Sequence, residues 1–364
     1  MRVALAGGGT TGHISPMLAT AEALRRLDPD GELVCVGTPI GLETSVVPSA
    51  GFELRTVDPI PLPRQWSPRL LSLPYRIVKS VRQASVVLRD FRAEAVVGFG
   101  GYASLPVCLA ARRLGLPVVI HEANAMAGVA NRVAARFAAV VCVTFAATKL
   151  PRQVLTGMPV RSAVAGLDPA SLRPHARRAF GLDDQAKVLL VTGGSQGARS
   201  INQALAGALP ALAGAGVAVL HVTGKRNFAE PVDAPAGMAY VRVPYVENMA
   251  EAYAAADLLL ARSGAATVVE AALVGLPAIF VPLPHGNGEQ ALNAAGLVAA
   301  GAARLVADAD LTPDRLAGEV VELIGDDSAR LTMAAAARGA TPRDAADRVA
   351  RHVLDLAKGV RTCP

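Results

Sequence analysis

The sequence predicts an α/β protein made of two Rossmann-like domains, each a parallel sheet covered on both faces by helices. Three observations carry this. Short Val-rich runs alternate with Ala/Leu-rich helical stretches from the first residues, the rhythm of parallel strands buried on both faces. That rhythm restarts near Lys187. The two series also open alike: Val3-Ala4-Leu5-Ala6-Gly7-Gly8-Gly9 is echoed by Val188-Leu189-Leu190-Val191-Thr192-Gly193-Gly194, a repeat on the scale of a domain rather than of a solenoid.

In order, the first series places strands at residues 3–6, 32–36, 95–98, 117–121 and 139–143, with a helix from about Pro16 to Leu27 after the first glycine turn. The second places them at residues 187–192, 217–222, 238–243, 257–261, 277–281 and 303–306. Between the series, Gly157-Met158-Pro159-Val160-Arg161-Ser162 and the polar, Pro-containing stretch to Pro174 read as the linker, which sets domains at 1–160 and 161–340. In 341–364, Thr341-Pro342-Arg343-Asp344 reads as a cap, a proline at the first helical position and an acid in the first turn. Ala346, Val349, Ala350, Val353, Leu354 and Leu356 then form an apolar stripe that requires a partner surface.

Composition bounds the function. The chain has 364 residues, more than one core usually organises, and is 52% hydrophobic with few aromatics. A net charge of +6 and a pI near 9.4 favour an anionic partner. Nucleic acid is excluded as that partner: zinc-finger spacing, an RNA-binding aromatic signature and a block of Lys/Arg are all absent from the sequence. Cys35, Cys108, Cys142 and Cys363 lack metal or disulfide spacing and read as thiols of a reducing compartment. The opening Met1-Arg2-Val3-Ala4-Leu5-Ala6 is too short for a signal sequence, and no apolar run reaches the roughly 18 residues of a membrane span. A cytoplasmic location is expected.

Three strand-turn-helix units can receive anionic oxygen. Gly7-Gly8-Gly9-Thr10-Thr11-Gly12-His13 points backbone amides and a helix N-terminus at one place. Val96-Val97-Gly98-Phe99-Gly100-Gly101-Tyr102-Ala103-Ser104 repeats the device, and Gly193-Gly194-Ser195-Gln196-Gly197-Ala198-Arg199 opens the second half with a third. A glycine turn alone also fits dinucleotide enzymes. However, Gly37-Thr38 stands where a nicotinamide enzyme would place an acid, and no P-loop lysine is present. His13, at the helix mouth, suits a base or a phosphate donor.

Together these residues resemble the MurG family of undecaprenyl-diphospho-muramoylpentapeptide N-acetylglucosaminyltransferases, which have the two-domain GT-B fold with parallel sheets facing across a cleft. The likeness runs from Gly8-Gly9-Thr10-Thr11-Gly12-His13-Ile14-Ser15-Pro16 through Gly98-Phe99-Gly100-Gly101-Tyr102, His121-Glu122-Ala123-Asn124, Gly157-Met158-Pro159-Val160-Arg161, Gly193-Gly194-Ser195-Gln196-Gly197-Ala198 and Arg262-Ser263-Gly264-Ala265-Ala266-Thr267-Val268-Val269-Glu270 to Gln290-Ala291-Leu292-Asn293-Ala294. Thr11, Ala123 and Met158 depart from the family's usual Gly or Ala, Gln and Asn.

The resemblance implies UDP-N-acetylglucosamine as donor, with Glu270 on the ribose, Val246 at the uracil, Arg161, Ser195 and the loop amides toward the diphosphate, and Arg262 also in the donor set. Glu289, Gln290 and Asn293 would read the sugar, and Thr10, Thr11, Gly12, His13 and Asn124 would complete the donor set. Gly9, Gly100, Gly101 and Tyr102 would take a muramyl peptide linked to undecaprenyl diphosphate. Transfer would invert the anomeric carbon, with His13 as base and Glu122 as its competitor. No cofactor or metal is expected, because Asp28-Pro29-Asp30 and Asp308-Ala309-Asp310 read as a turn and a surface loop. The last helix would pack back on the N-terminal domain. Leu73, Ile77, Val78 and Val81 among Arg64, Arg69, Arg76, Lys79 and Arg82 suit an anionic membrane surface, which would put the protein on the inner face of the cell membrane. Kept beside this reading are a GT-B transferase with a soluble acceptor, a UDP-N-acetylglucosamine epimerase, and a non-catalytic UDP-sugar sensor.

Overall fold

The computed structural model describes residues 1–60, 73–194, 196–285 and 287–359. Two compact units divide the chain: Met1–Arg161 together with the residues from Asp344 onward, and Ser162–Arg343.

The first unit contains β1 (Arg2–Ala6), α1 (Thr11–Leu27), β2 (Glu32–Gly37), α2 (Glu43–Ser49), β3 (Glu53–Thr56), α3 (Leu73–Asp90), β4 (Ala95–Gly98), α4 (Ser104–Arg113), β5 (Val118–Glu122), α5 (Val129–Ala134), β6 (Val140–Val143) and β7 (Gln153–Leu155). Its seven strands run parallel in the order β3-β2-β1-β4-β5-β6-β7. The order reverses at β1, where Ala6 is in register with both Val36 and Gly98. The turns leaving β1, β2 and β4 therefore emerge side by side at the carboxyl edge, where open α/β sheets place their ligands.

Strand alternation divides the core between the two faces. Ala4, Ala6, Val96 and Ile120 face one layer, with Val81, Ala84 and Leu88 of α3 and Val107 and Ala111 of α4. Val3, Leu5, Val97 and Val119 face the other, with Met17, Leu18 and Leu24 of α1. Two edge strands, β3 and β7, were not anticipated. The helix after the first glycine turn also starts at Thr11 rather than near Pro16. A proline so close to the helix start removes a single ladder bond, so Thr11, Gly12 and His13 belong to the first turn of α1.

The second unit contains α6 (Ser162–Ala165), α7 (Pro169–Ala179), β8 (Lys187–Thr192), α8 (Arg199–Gly214), β9 (Val217–Val222), β10 (Tyr240–Val243), α9 (Met249–Ala255), β11 (Leu258–Ala261), α10 (Ala265–Val274), β12 (Ala278–Phe280), α11 (Glu289–Ala299), β13 (Ala303–Leu305), α12 (Pro313–Gly325) and α13 (Asp327–Gly339). Its parallel sheet has the order β10-β9-β8-β11-β12-β13. The stretch to Pro174, expected as linker, is instead largely helical. Asp168 caps α7 by accepting from the Ala170 N–H, Pro169 takes the tolerated first position, and Arg173 and Arg177 bind Asp257 at 2.5 and 2.9 Å.

The chain then returns to the first unit as α14 (Ala345–Ala357). It starts later than its cap-like tetrapeptide suggests: Asp344 is the N-cap and Pro342 lies outside the helix. Val349, Ala350, Val353 and Leu354 are buried with the α1 face of the core, and Asp347 pairs with Arg26 of α1.

Candidate active site

In the first unit, the glycine turn after β1 carries Gly9 at φ +89, with Thr10 as the N-cap of α1. His13 follows in the first helical turn, its Nδ1 3.2 Å from the Thr10 hydroxyl. Burial lowers the His13 pKa below the usual imidazole value, against a hydrogen bond to the Gly8 backbone and the charge of Glu43. The turn after β4 presses on this one. A Cβ on Gly100 would stand 3.1 Å from the His13 ring, and one on Gly101 would run into the Gly8 carbonyl oxygen. Both glycines have positive φ, so close approach and backbone conformation each demand the missing side chain. Tyr102 beside them is half exposed.

Glu122 ends β5 with its side chain turned inward, and residue exposure is 3%. One oxygen accepts from the Asn124 N–H at 2.9 Å, the other from the Gly128 N–H at 3.0 Å and the Asn131 side-chain amide at 2.9 Å. Burial raises its pKa while these bonds oppose the rise. A carboxylate so bonded orders the β5–α5 loop that carries Asn124.

Sequence reasoning missed Glu43 and Asn131. The acid sought at the end of the second strand does arrive: Glu43, opening α2, returns its carboxylate to Thr38 and accepts from the Thr38 N–H at 2.8 Å, the Thr38 hydroxyl at 2.7 Å and the Gly9 N–H at 3.0 Å. The only hint was its place just after Gly41.

In the second unit, Gly194 has φ +82 and its N–H donates to the Thr192 hydroxyl at 3.1 Å. Ser195 lies outside the described residues. Arg262, just past β11, donates to the Val281 and Pro282 carbonyls at 3.1 and 3.0 Å, the Ser200 hydroxyl at 2.8 Å and Asp308 at 2.5 Å. The segment expected as a surface loop is thus a single 3-10 turn over Asp308–Asp310, with Asp308 fixed against this guanidinium.

Glu270 sits half-buried on α10, accepting from the Tyr253 hydroxyl at 2.8 Å; burial pushes its carboxyl up to about 7. Val246 is buried between β10 and α9. Glu289 is the first residue of α11, Gln290 accepts from the Leu283 N–H at 3.0 Å, and the Asn293 amide donates to the Ser263 carbonyl at 3.3 Å. These residues gather around the carboxyl ends of β11 and β12, except Glu270 and Val246, which lie nearer α9. Arg161 ends the first unit and pairs with Glu22 of α1 at 3.4 Å.

On α3 the basic-apolar pattern divides differently from its sequence grouping. Val81 is buried and Ile77 packs on the core, whereas Tyr75, Val78 and Val86 are exposed. With Lys79, Arg82 and Gln83 they line a shallow depression. Lys79 pairs with Asp58 at 2.7 Å. Arg64 and Arg69 lie outside the described residues, as does Cys363. Cys35, Cys108 and Cys142 are buried thiols pushed up to about 12 by burial.

Residues 3–143 match the glycosyltransferase family 28 N-terminal domain, and residues 188–349 its C-terminal domain. A Nocardioides sp. protein described as UDP-N-acetylglucosamine–N-acetylmuramyl-(pentapeptide) pyrophosphoryl-undecaprenol N-acetylglucosamine transferase is 52% identical over 361 residues, 99% of each chain. The crystal structure of Acinetobacter baumannii MurG superposes with a TM-score of 0.76 at 31% identity, covering 97% of this chain and 99% of that one. The S. aureus MnaA–UDP co-structure reaches 0.73 over 100% and 99% of the two chains at 15% identity, which shows a shared fold alone. With both halves matched and half of all residues shared with a full-length relative, the chain belongs to glycosyltransferase family 28, in its MurG branch.

Proposed function

We propose that the protein transfers N-acetylglucosamine from UDP-N-acetylglucosamine to the muramyl 4-hydroxyl of undecaprenyl-diphospho-muramoylpentapeptide, a step of peptidoglycan synthesis. The observation that carries this reading is 52% identity, end to end, to a relative whose name states that donor and acceptor. The epimerase alternative shares the fold only.

In this reading the second unit holds the donor. Glu270 accepts from ribose hydroxyls, Val246 offers backbone to uracil, and Gln290, Glu289 and Asn293 meet the sugar. Helix N-termini with the Gly193-Gly194 turn, Ser195 and Arg161 balance the charge of departing UDP, while Arg262 holds the frame. The first unit takes the acceptor at Gly9, Gly100, Gly101 and Tyr102. His13 draws the proton from the attacking hydroxyl. Its depressed pKa leaves the ring unprotonated at neutral pH, as a base must be. Glu122 shapes the adjoining loop.

The lipid-linked acceptor brings the protein to the cytoplasmic face of the membrane. No helix among the described residues is long and apolar enough to cross one; contact is through the exposed Tyr75, Val78 and Val86 with Arg76, Lys79 and Arg82. Incubation with labelled UDP-N-acetylglucosamine and the muramyl diphospholipid tests the reaction: label passes into the lipid phase, and its retention in the aqueous phase would refute transfer. Flotation with anionic vesicles tests the surface, where each cation contributes about 1 kcal/mol and the triple change of Arg76, Lys79 and Arg82 to Glu releases the protein.

A further inference from the structure

We infer that Glu43 is a positioning residue for His13, its carboxylate fixing the glycine turn against which the imidazole rests. The inference depends on the reading of His13 as the base.

Glu43 belongs to none of the glycine turns, yet its side chain has no exposed surface and, among the described residues, no ion-pair partner. Burying an unpaired carboxylate is costly unless hydrogen bonds replace its water. Here they do: one oxygen takes both Thr38 donors, and the other takes the Gly9 N–H. Those bonds outweigh burial, which alone would raise the pKa, and hold the carboxyl below its usual value. Three glycines from three segments are kept clear for it. A Cβ on Gly37 would stand 2.5 Å from the Glu43 Cγ, and one on Gly8 or Gly41 would strike the carboxylate itself.

The connection to His13 is short. Glu43 draws in the Gly9 amide, Gly8 is stacked against Gly101, and the His13 ring, 3.2 Å from the Thr10 hydroxyl of the same turn, stands over Gly100. Moving the carboxylate moves the turn, and with it the Thr10 hydroxyl that meets the ring. The charge acts as well as the geometry, since Glu43 favours the protonated imidazole. Other ionisable groups on the neighbouring elements include Tyr102 after β4 and, on β5, Glu122 and His121, which packs on Phe99 and which burial lowers to about 4. Glu122 is already committed to Asn124, Gly128 and Asn131.

The test compares full-length Glu43→Gln, Glu43→Asp, Thr38→Val and His13→Gln in steady-state transfer assays across pH, with UDP binding and thermal melting as checks of folding. Glu43→Gln lowers kcat roughly ten- to a hundredfold, the penalty of a misplaced catalytic group, with KM for UDP-N-acetylglucosamine unchanged. Losing the anion disfavours the imidazolium, so the acid limb of kcat/KM moves to lower pH. Glu43→Asp keeps the charge and leaves the limb in place while restoring part of kcat. Thr38→Val, a near-isosteric change that folds even where Glu43→Gln does not, costs about two- to tenfold in kcat through one lost hydrogen bond. Wild-type kcat and an unmoved limb in both Glu43→Gln and Thr38→Val overturn the inference, as does a loss of kcat matched by weaker UDP binding with the limb in place. An acid limb that survives His13→Gln refutes the base reading itself, whereas a limb lost in His13→Gln but unmoved in Glu43→Gln refutes only the role of Glu43.

Discussion

The glycine turns after β1 and after β8 share one plan, strand, paired glycines and helix, but are braced by opposite means. Under the first lies an ionised carboxylate, Glu43, with a histidine against the same turn. The second is held by neutral groups. Thr192 accepts from Gly194, Asn227 donates to the Gln196 carbonyl at 3.2 Å, and Asn202 joins the Thr223 carbonyl to His221, which also meets the Tyr240 hydroxyl at 2.8 Å. Burial holds His221 down at about 4, so it too is uncharged at neutral pH. An anion beneath a turn supports an imidazole that must accept a proton. The contrast fits base chemistry in the first unit and nucleotide binding in the second.

The largest expected break in this contrast is His13→Ala, which lowers kcat by about a hundred- to ten-thousandfold while UDP affinity, measured by calorimetry, stays at the wild-type value. Next is Arg262→Met. It leaves the half-buried Asp308 with the Ser200 hydroxyl but without its cation and destabilises the second unit by about 1–3 kcal/mol, read as a lower urea midpoint for that unit alone. Glu270→Ala should raise KM for UDP-N-acetylglucosamine by the equivalent of about 1–3 kcal/mol, with kcat at saturating donor little changed.

The smallest effect is one of pH. Glu270 titrates near 7 in the folded state against 4.5 ordinarily, so the folded form holds the extra proton between those values. Its contribution to stability is full below pH 4.5 and lost as pH rises toward 7. Glu270→Gln removes that slope, which denaturation at pH 4.5 and pH 7 would reveal.

Much of this arrangement was readable from the chain, for identifiable reasons. Buried parallel strands such as Val188-Leu189-Leu190-Val191 are continuous apolar runs and announce themselves. By contrast, β3 (Glu-Leu-Arg-Thr) and β7 (Gln-Val-Leu) are short, partly polar edge strands with no such run, as edge strands tend to be. His13, Gly100 and Tyr102 were legible because glycine turns are local. Glu43 was not, because its role comes from a return of the chain to Thr38 and Gly9, 34 positions away in the latter case. Arg262 and Asp308 show the same limit: each stood in a recognisable motif, and only their meeting across 46 positions reveals how Asp308 is used.

The return of α14 to the first unit has a consequence for synthesis. The second unit is one uninterrupted stretch, Ser162–Arg343, and can close its core as soon as that stretch leaves the ribosome. The first unit, although translated earlier, must wait with the α1 side of its core unsealed until Val349, Ala350 and Val353 emerge. The portion made first is therefore the portion completed last, and a nascent chain halted before Asp344 exposes a greasy surface that chaperones would recognise.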